Sequence, residues 1–337
     1  MNPAGERVPR WLLPAALAAS ALVAFALWRG GLLGLPPVPT GLSAERSGLA
    51  DLAGLRERAA QLDRAEPLDP GVDSALALAR RGLAAVRRGD SARGLDTLRA
   101  AFRLGPRDLV IGNAYRMAAL RVRRAILART PAHDSLPGSG ADELAFSAIA
   151  PLQTICREQP SREATLQLAL AWVDELILHP ALEVQAPASI ESVNQFTTLL
   201  AEDPVYVPAL LGRGLNYLHR PARLVWPELR KAAPDAASRD LGTGVAIGRR
   251  IGGAPPRLVA TLALDLGDAY AKEGRAERAR SWWQIAQNAS PDADLRAAVR
   301  RRFGWRDEEL LDRLEEDLAR GMLDLDHPLS DLSVMWR

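Results

Sequence analysis

Residues 263–291 read ALDLGDAYAKEGRAERARSWWQIAQNASP, two helix-length segments joined at Gly274. Gly267 and Ala279 are small where two such helices, folded back on each other, must cross closely. Tyr270 and Trp283 are large and fill the space beside that crossing. Gly274 permits the tight turn between the helices, and Pro291 stops the second one. A helix pair of this size cannot bury its apolar side alone, so neighbours must stack against it.

Working outward, the same spacing recurs. Gly82, Gly89, Ala101 and Pro106 repeat the intervals of Gly267, Gly274, Ala286 and Pro291, with Ala85 and Leu98 at the two large positions. Gly214 and Tyr217 open a further unit in RGLNYLH, and the unit before it ends at Phe196 and Pro204. Pro160 closes a degenerate unit containing Ala148, Leu152 and Ile155, whereas Tyr115, in GNAYRM, falls four residues out of register. Breaks between helix-length segments are predicted at RTPAHDSLPGSGAD (129–142), HPALEVQAP (179–187) and IGGAPP (251–256). Leu, Ala and Arg dominate while β-branched and aromatic residues are sparse, which favours helices over strands.

The filled positions Leu266-Gly267, Tyr270, Gly274, Ala279, Trp283, Ala286 and Pro291 resemble the signature of a tetratricopeptide repeat, with Ala263 in place of its first aromatic residue. The resemblance spans roughly residues 71–303. It implies an all-α, helical-repeat solenoid that binds proteins along the surface lined by the first helix of each unit. Carried over residue by residue, it makes Gln167, Asp174 and Glu175 candidate partner contacts in one unit. The next units supply Leu211, Leu215 and His219, then Thr261, Asp268 and Lys272. This mixture lacks the two-lysine, asparagine clamp that some members use for C-terminal carboxylates, so a chaperone-type peptide clamp is not implied.

Trp282 and Trp283 are helix neighbours and cannot face one core together. Trp283 takes the packing position, which leaves Trp282 for an adjacent unit or a partner. Residues 306–320, RDEELLDRLEEDLAR, place Leu310, Leu311, Leu314 and Leu318 on one face, as a capping helix over 304–321 would. In the tail, 322–337, Leu332, Val334, Met335 and Trp336 form an apolar cluster. It either folds back on the array or inserts into another protein, so Met335 and Trp336 join the candidate contacts.

At the other end, residues 11–28, WLLPAALAASALVAFALW, carry no charge. A helix of that length spans about 27 Å, close to the ~30 Å hydrocarbon thickness of a bilayer. The apolar stretch continues to residue 34, and Trp11 and Trp28 stand where interfacial tryptophans settle. Arg7 and Arg10 precede it, so residues 1–10 are expected in the cytoplasm and the body outside, in the periplasm, with the chain crossing the inner membrane once. A signal peptide cleaved near Ala19-Ser20-Ala21 is the alternative. Residues 35–43 contain the stiff spacer LPPVPTG. Residues 44–70 read as an amphipathic helix, with Leu49, Leu52, Leu55 and Ala59 on one side, and a connector.

Little in the sequence points to chemistry. The first forty residues carry Arg7, Arg10 and Arg29 against Glu6, which leaves the rest of the chain with acidic and basic residues in balance and without the charge excess that nucleic acid requires. Cys156 is the single cysteine, so no intrachain disulfide forms and no cysteine-based metal site exists. The histidines, His133, His179, His219 and His327, show no metal-ligand spacing, and no nucleophile, phosphate-loop or dinucleotide motif is present. Asp174 and Glu175 are adjacent, about 100° apart on a helix, and are not a catalytic pair. No catalytic, cofactor or metal residue is expected. The expected function is that of a non-enzymatic scaffold or accessory subunit of a multi-protein membrane complex, partnered by other subunits and by the bilayer through residues 11–34. The alternative is a tether that transiently recruits soluble periplasmic clients.

Overall fold

The computed structural model describes residues 42–43, 45–49, 57–62, 74–129, 144–179, 182–220, 227–251, 254–290, 292–322, 327–328 and 331–332. The chain divides into Met1–Pro37 and Val38–Arg337, and every described residue belongs to the second unit. The expectations for Trp11, Trp28 and the 11–34 anchor, for His133, and for Met335 and Trp336 therefore lie outside the described residues. Among those that are described, no helix is long and apolar enough to cross a membrane.

The described residues form helices and no strand, so the body is all-α. In chain order the helices are α1 (Ala75–Arg87), α2 (Ser91–Leu104), α3 (Leu109–Leu127), α4 (Ile149–Glu158), α5 (Arg162–Leu178) and α6 (Leu182–Glu202). After them come α7 (Val207–Leu218), α8 (Pro227–Ile251), α9 (Pro256–Lys272), α10 (Ala276–Ala289), α11 (Ala293–Phe303) and α12 (Leu310–Met322).

The hairpins α1–α2 and α9–α10 end their first helices identically. Gly89 and Gly274 adopt positive φ, 89° and 75°. In the first hairpin Asp90 N donates to Ala85 O (3.1 Å) and Gly89 N to Val86 O (3.0 Å). In the second, Arg275 N donates to Tyr270 O (2.9 Å) and Gly274 N to Ala271 O (3.0 Å). This is the Schellman arrangement, in which a left-handed glycine lets the last carbonyls of a helix find donors while the chain reverses. The close crossings sit where the small residues predict them. A Cβ on Gly82 would stand 2.9 Å from Gly94 O, and one on Gly267 would stand 3.0 Å from Ala279 O and 2.5 Å from Trp283 Cδ1.

Gly267→Ala should therefore lower the unfolding free energy in urea by about 1–3 kcal/mol, the usual cost of overpacking. Gly248→Ala, in α8, adds a Cβ whose nearest neighbour is Ala254 Cβ at 3.6 Å, an ordinary contact. Its effect should be neutral or stabilising, by up to about 1 kcal/mol, because alanine holds a helix better than glycine. Equal losses in the two variants would show that the crossing is not tight.

Beyond the hairpins, each odd-numbered helix packs on the next odd-numbered one: α1 on α3, α3 on α5, α5 on α7, α7 on α9, and α9 on α11. Gly112 serves the α3–α5 approach, where a Cβ would come within 2.9 Å of Gln167 Cγ, and Gly212 leaves room for the Phe196 ring of α6. The start of the body reaches this layer as well. Ser47 O accepts from Val207 N (3.0 Å), one of the amides that a helix N-terminus leaves without an internal partner.

Three details differ from the sequence reading. Gly48 has φ of 71° and sits in a turn over 45–48, so a helix does not run continuously from residue 44; the helical residues described in this stretch are 49 and 57–62. The break predicted over 179–187 ends early, because α6 begins at Leu182 and contains Pro187. Pro187 is the sixth residue of α6, past the free amides of the first turn, so the helix forgoes one ladder bond, to Glu183 O, in order to include it. In α12, Leu310, Leu314 and Leu318 are buried but Leu311 is 41% exposed. Leu311 lies one residue, or 100°, from the stripe that packs on α9.

Candidate functional site

α3 is mainly apolar, yet it buries two arginines on the side of α5. Arg116 donates from Nε to Gln167 Oε1 (3.1 Å), from Nη1 to Asp174 Oδ1 (2.6 Å) and from Nη2 to Asn113 Oδ1 (3.2 Å). Seven residues on, Arg123 grips Glu175 with two hydrogen bonds, 2.6 and 2.8 Å. His179, at the C-cap of α5, completes this end, with Nε2 3.4 Å from Glu175. Adjacent acids on one helix thus take two arginines about two turns apart on another. Burial pushes the Asp174 carboxyl up to about 7, against the pull of Arg116. Burial also acts to raise Glu175, but the Arg123 and His179 hydrogen bonds outweigh it and hold that carboxyl at about 2.

A second network centres on α9. Asp268, with no exposed surface, accepts from Arg302 Nε (2.7 Å), Arg302 Nη2 (2.6 Å) and Trp283 Nε1 (2.8 Å). Arg302 also reaches Asp317 Oδ2 at 3.0 Å, so one guanidinium joins α9, α11 and α12, and the Trp283 bond to Asp268 adds α10. At the end of α9, Lys272 Nζ donates to Leu218 O (2.8 Å) and Arg220 O (2.6 Å), covering free carbonyls at the C-terminus of α7, and lies 3.6 Å from Glu315. Burial lowers the Lys272 ammonium pKa and Glu315 counters this.

Asp265 stands beside Asp268 with Oδ2 buried and unpartnered. Burial, then the Asp268 charge, push its carboxyl well above 3.8. A carboxyl whose pKa is raised by folding stabilises fully below its unfolded value and loses that contribution as pH rises through the folded value. Asp265→Asn removes the titration, so the variant should gain stability relative to the parent as pH rises from 3.8 toward 7. Urea unfolding at pH 3.5 and pH 7 measures this. A stability difference that is the same at both pH values would exclude it.

The described C-terminal residues His327, Asp331 and Leu332 lie against this layer. The His327 ring meets His219, at the C-cap of α7, edge to face with centroids 4.8 Å apart. Burial, His327 and Lys272 all lower the pKa of His219 below 6.5. Farther on, Asn113 Nδ2 donates to Asp331 Oδ1 (2.9 Å), and Leu332 N donates to Asn113 Oδ1 (3.3 Å). Asp331 and Leu332 are both buried. Of the two fates open to the tail, these residues take the fold-back.

The candidate contacts among the described residues consequently lie inside the fold. Gln167, Asp174, Glu175 and Asp268 are bound to arginines of the same chain, Lys272 is bound to carbonyls, and Leu211, Leu215 and Thr261 are buried. Trp282 is buried as completely as Trp283. α10 packs on both α9 and α11, so side chains 100° apart can both be covered.

Asn113, Arg116, Arg123 and Arg302 are not among the candidates that the sequence singles out. A signal for Arg116 exists: an arginine within the apolar run LVIGNAYRMAALRV (109–122) needs a buried acid, and an acid pair stands on α5. Cys156 is half-buried, and burial raises its thiol pKa. Among the described residues, no group of three or more His, Cys, Asp or Glu side chains could hold a metal ion. No family model and no curated protein matches this chain.

Proposed function

We propose that this chain is a non-enzymatic scaffold or accessory subunit of a multi-protein membrane complex, for example an electron-transport or photosynthetic one. In this reading residues 11–34 anchor it in the inner membrane and the body, an array of tetratricopeptide-type units, braces the complex from the periplasmic side. The observation that carries the reading is the run of odd-numbered helices packed each on the next. Such a run stacks the helices in one direction and leaves exposed residues of the even-numbered helices open to other proteins, and anchoring raises the local concentration of membrane partners.

Mild-detergent capture of the full chain from native membranes, followed by mass spectrometry, tests the proposal. The expected result is an intact N-terminus and integral membrane proteins recovered in fixed ratio. Recovery of the chain alone, with soluble clients appearing only after cross-linking, would favour the transient tether. A soluble protein lacking its first thirty residues would exclude both.

A further inference from the structure

We propose that the side of α3 carrying Asn113 is a peptide-binding site occupied by the chain's own C-terminal segment, and that a partner segment in which an acidic residue precedes an apolar one can displace it. Asn113 reads two successive groups of the segment. Its Nδ2 donates to the Asp331 carboxylate (2.9 Å) and its Oδ1 accepts the Leu332 backbone N–H (3.3 Å). An amide is suited to this because it donates and accepts at once.

The amide is also set in place without the segment. Arg116 donates to the same Oδ1 (3.2 Å), which fixes which end of the amide is oxygen, and Arg116 is itself locked by Asp174 and Gln167. A donor and an acceptor held in advance by buried neighbours are preorganised for a ligand. Arg121 Nη2 lies 3.9 Å from Asp331 Oδ2 and adds positive charge at the rim. The recognised chemistry is therefore one carboxylate, the next backbone N–H and a buried apolar side chain, none of them peculiar to this chain. The segment is tied near by His327 against His219, so its occupancy depends on effective concentration, which a free segment can outcompete.

The proposal concerns a site within the body and holds whether or not the membrane-subunit reading does. Its test uses the full chain and a fluorescent synthetic peptide of residues 327–337. The peptide should bind the full-length Asp331→Lys variant at least tenfold more tightly than the parent, because the resident segment is weakened. Adding Asn113→Asp, which removes the amide donor and opposes a carboxylate, should abolish that gain while far-UV circular dichroism stays unchanged. In the parent, saturating peptide should raise hydrogen exchange over 327–337 at least tenfold, a readout that needs no variant. Unchanged exchange at saturating peptide would overturn the proposal. So would equal peptide affinity in the parent and the Asp331→Lys variant, or affinity indifferent to Asn113→Asp in a folded protein.

Discussion

Arg302→Met should cost the protein about 3–5 kcal/mol of unfolding free energy at pH 7, the usual penalty for removing one member of a buried ion pair. Arg302 is buried and serves Asp268 through two hydrogen bonds and Asp317 through a third. Without it, Asp268 keeps only the Trp283 N–H, with Asp265 beside it in the same dry interior. Two carboxylates left so close cannot both stay ionised, and the proton that one must take is costly at neutral pH. The double variant Arg302→Met/Asp268→Leu should recover more than half of the loss, because most of the penalty is the stranded charge. Typical domain stabilities are about 5–15 kcal/mol, so the single variant should unfold at clearly lower urea. A loss below about 1 kcal/mol, or a double variant no better than the single, would show that the network does not bind α9 to α11 and α12.

Trp283→Ala should lose a similar amount, about 3–5 kcal/mol, by a different route. The indole is wholly buried, fills the space over Gly267 and meets the Phe303 ring at 6.1 Å. Truncation leaves a cavity that two helices crossing at Gly267 cannot close, and it takes away an Asp268 hydrogen bond. Trp283→Phe retains most of the packing and loses the N–H, so its cost should fall to about 1–2 kcal/mol. Urea melts followed by circular dichroism separate the two contributions. Equal losses in the Ala and Phe variants would assign the whole effect to the hydrogen bond and none to packing.

Legibility differed between local and distant features. The turn glycines Gly89 and Gly274 and the crossing pair Gly267 and Ala279 could be read directly, because a left-handed backbone and a close helix crossing each restrict residue type at one position. The polar residues were harder. Asp174 and Glu175 read as candidate partner contacts and Trp282 as a residue for an adjacent unit or a partner, because in a single helix nothing distinguishes an acid facing outward from one facing a buried arginine. Arg116 lies 58 residues before Asp174, and that pairing arises only when α3 packs on α5.

By itself, the sequence determined the all-helical class, the two glycine-turned hairpins and the apolar stripe of Leu310, Leu314 and Leu318, because helix periodicity, turn backbone and small-residue crossings are set within some thirty residues. Only the tertiary structure decided what the polar side chains of α3, α5 and α9 face and where Asp331 rests. Those outcomes depend on contacts across as many as 219 residues, and a buried charge is defined by the neighbours that remove water from it.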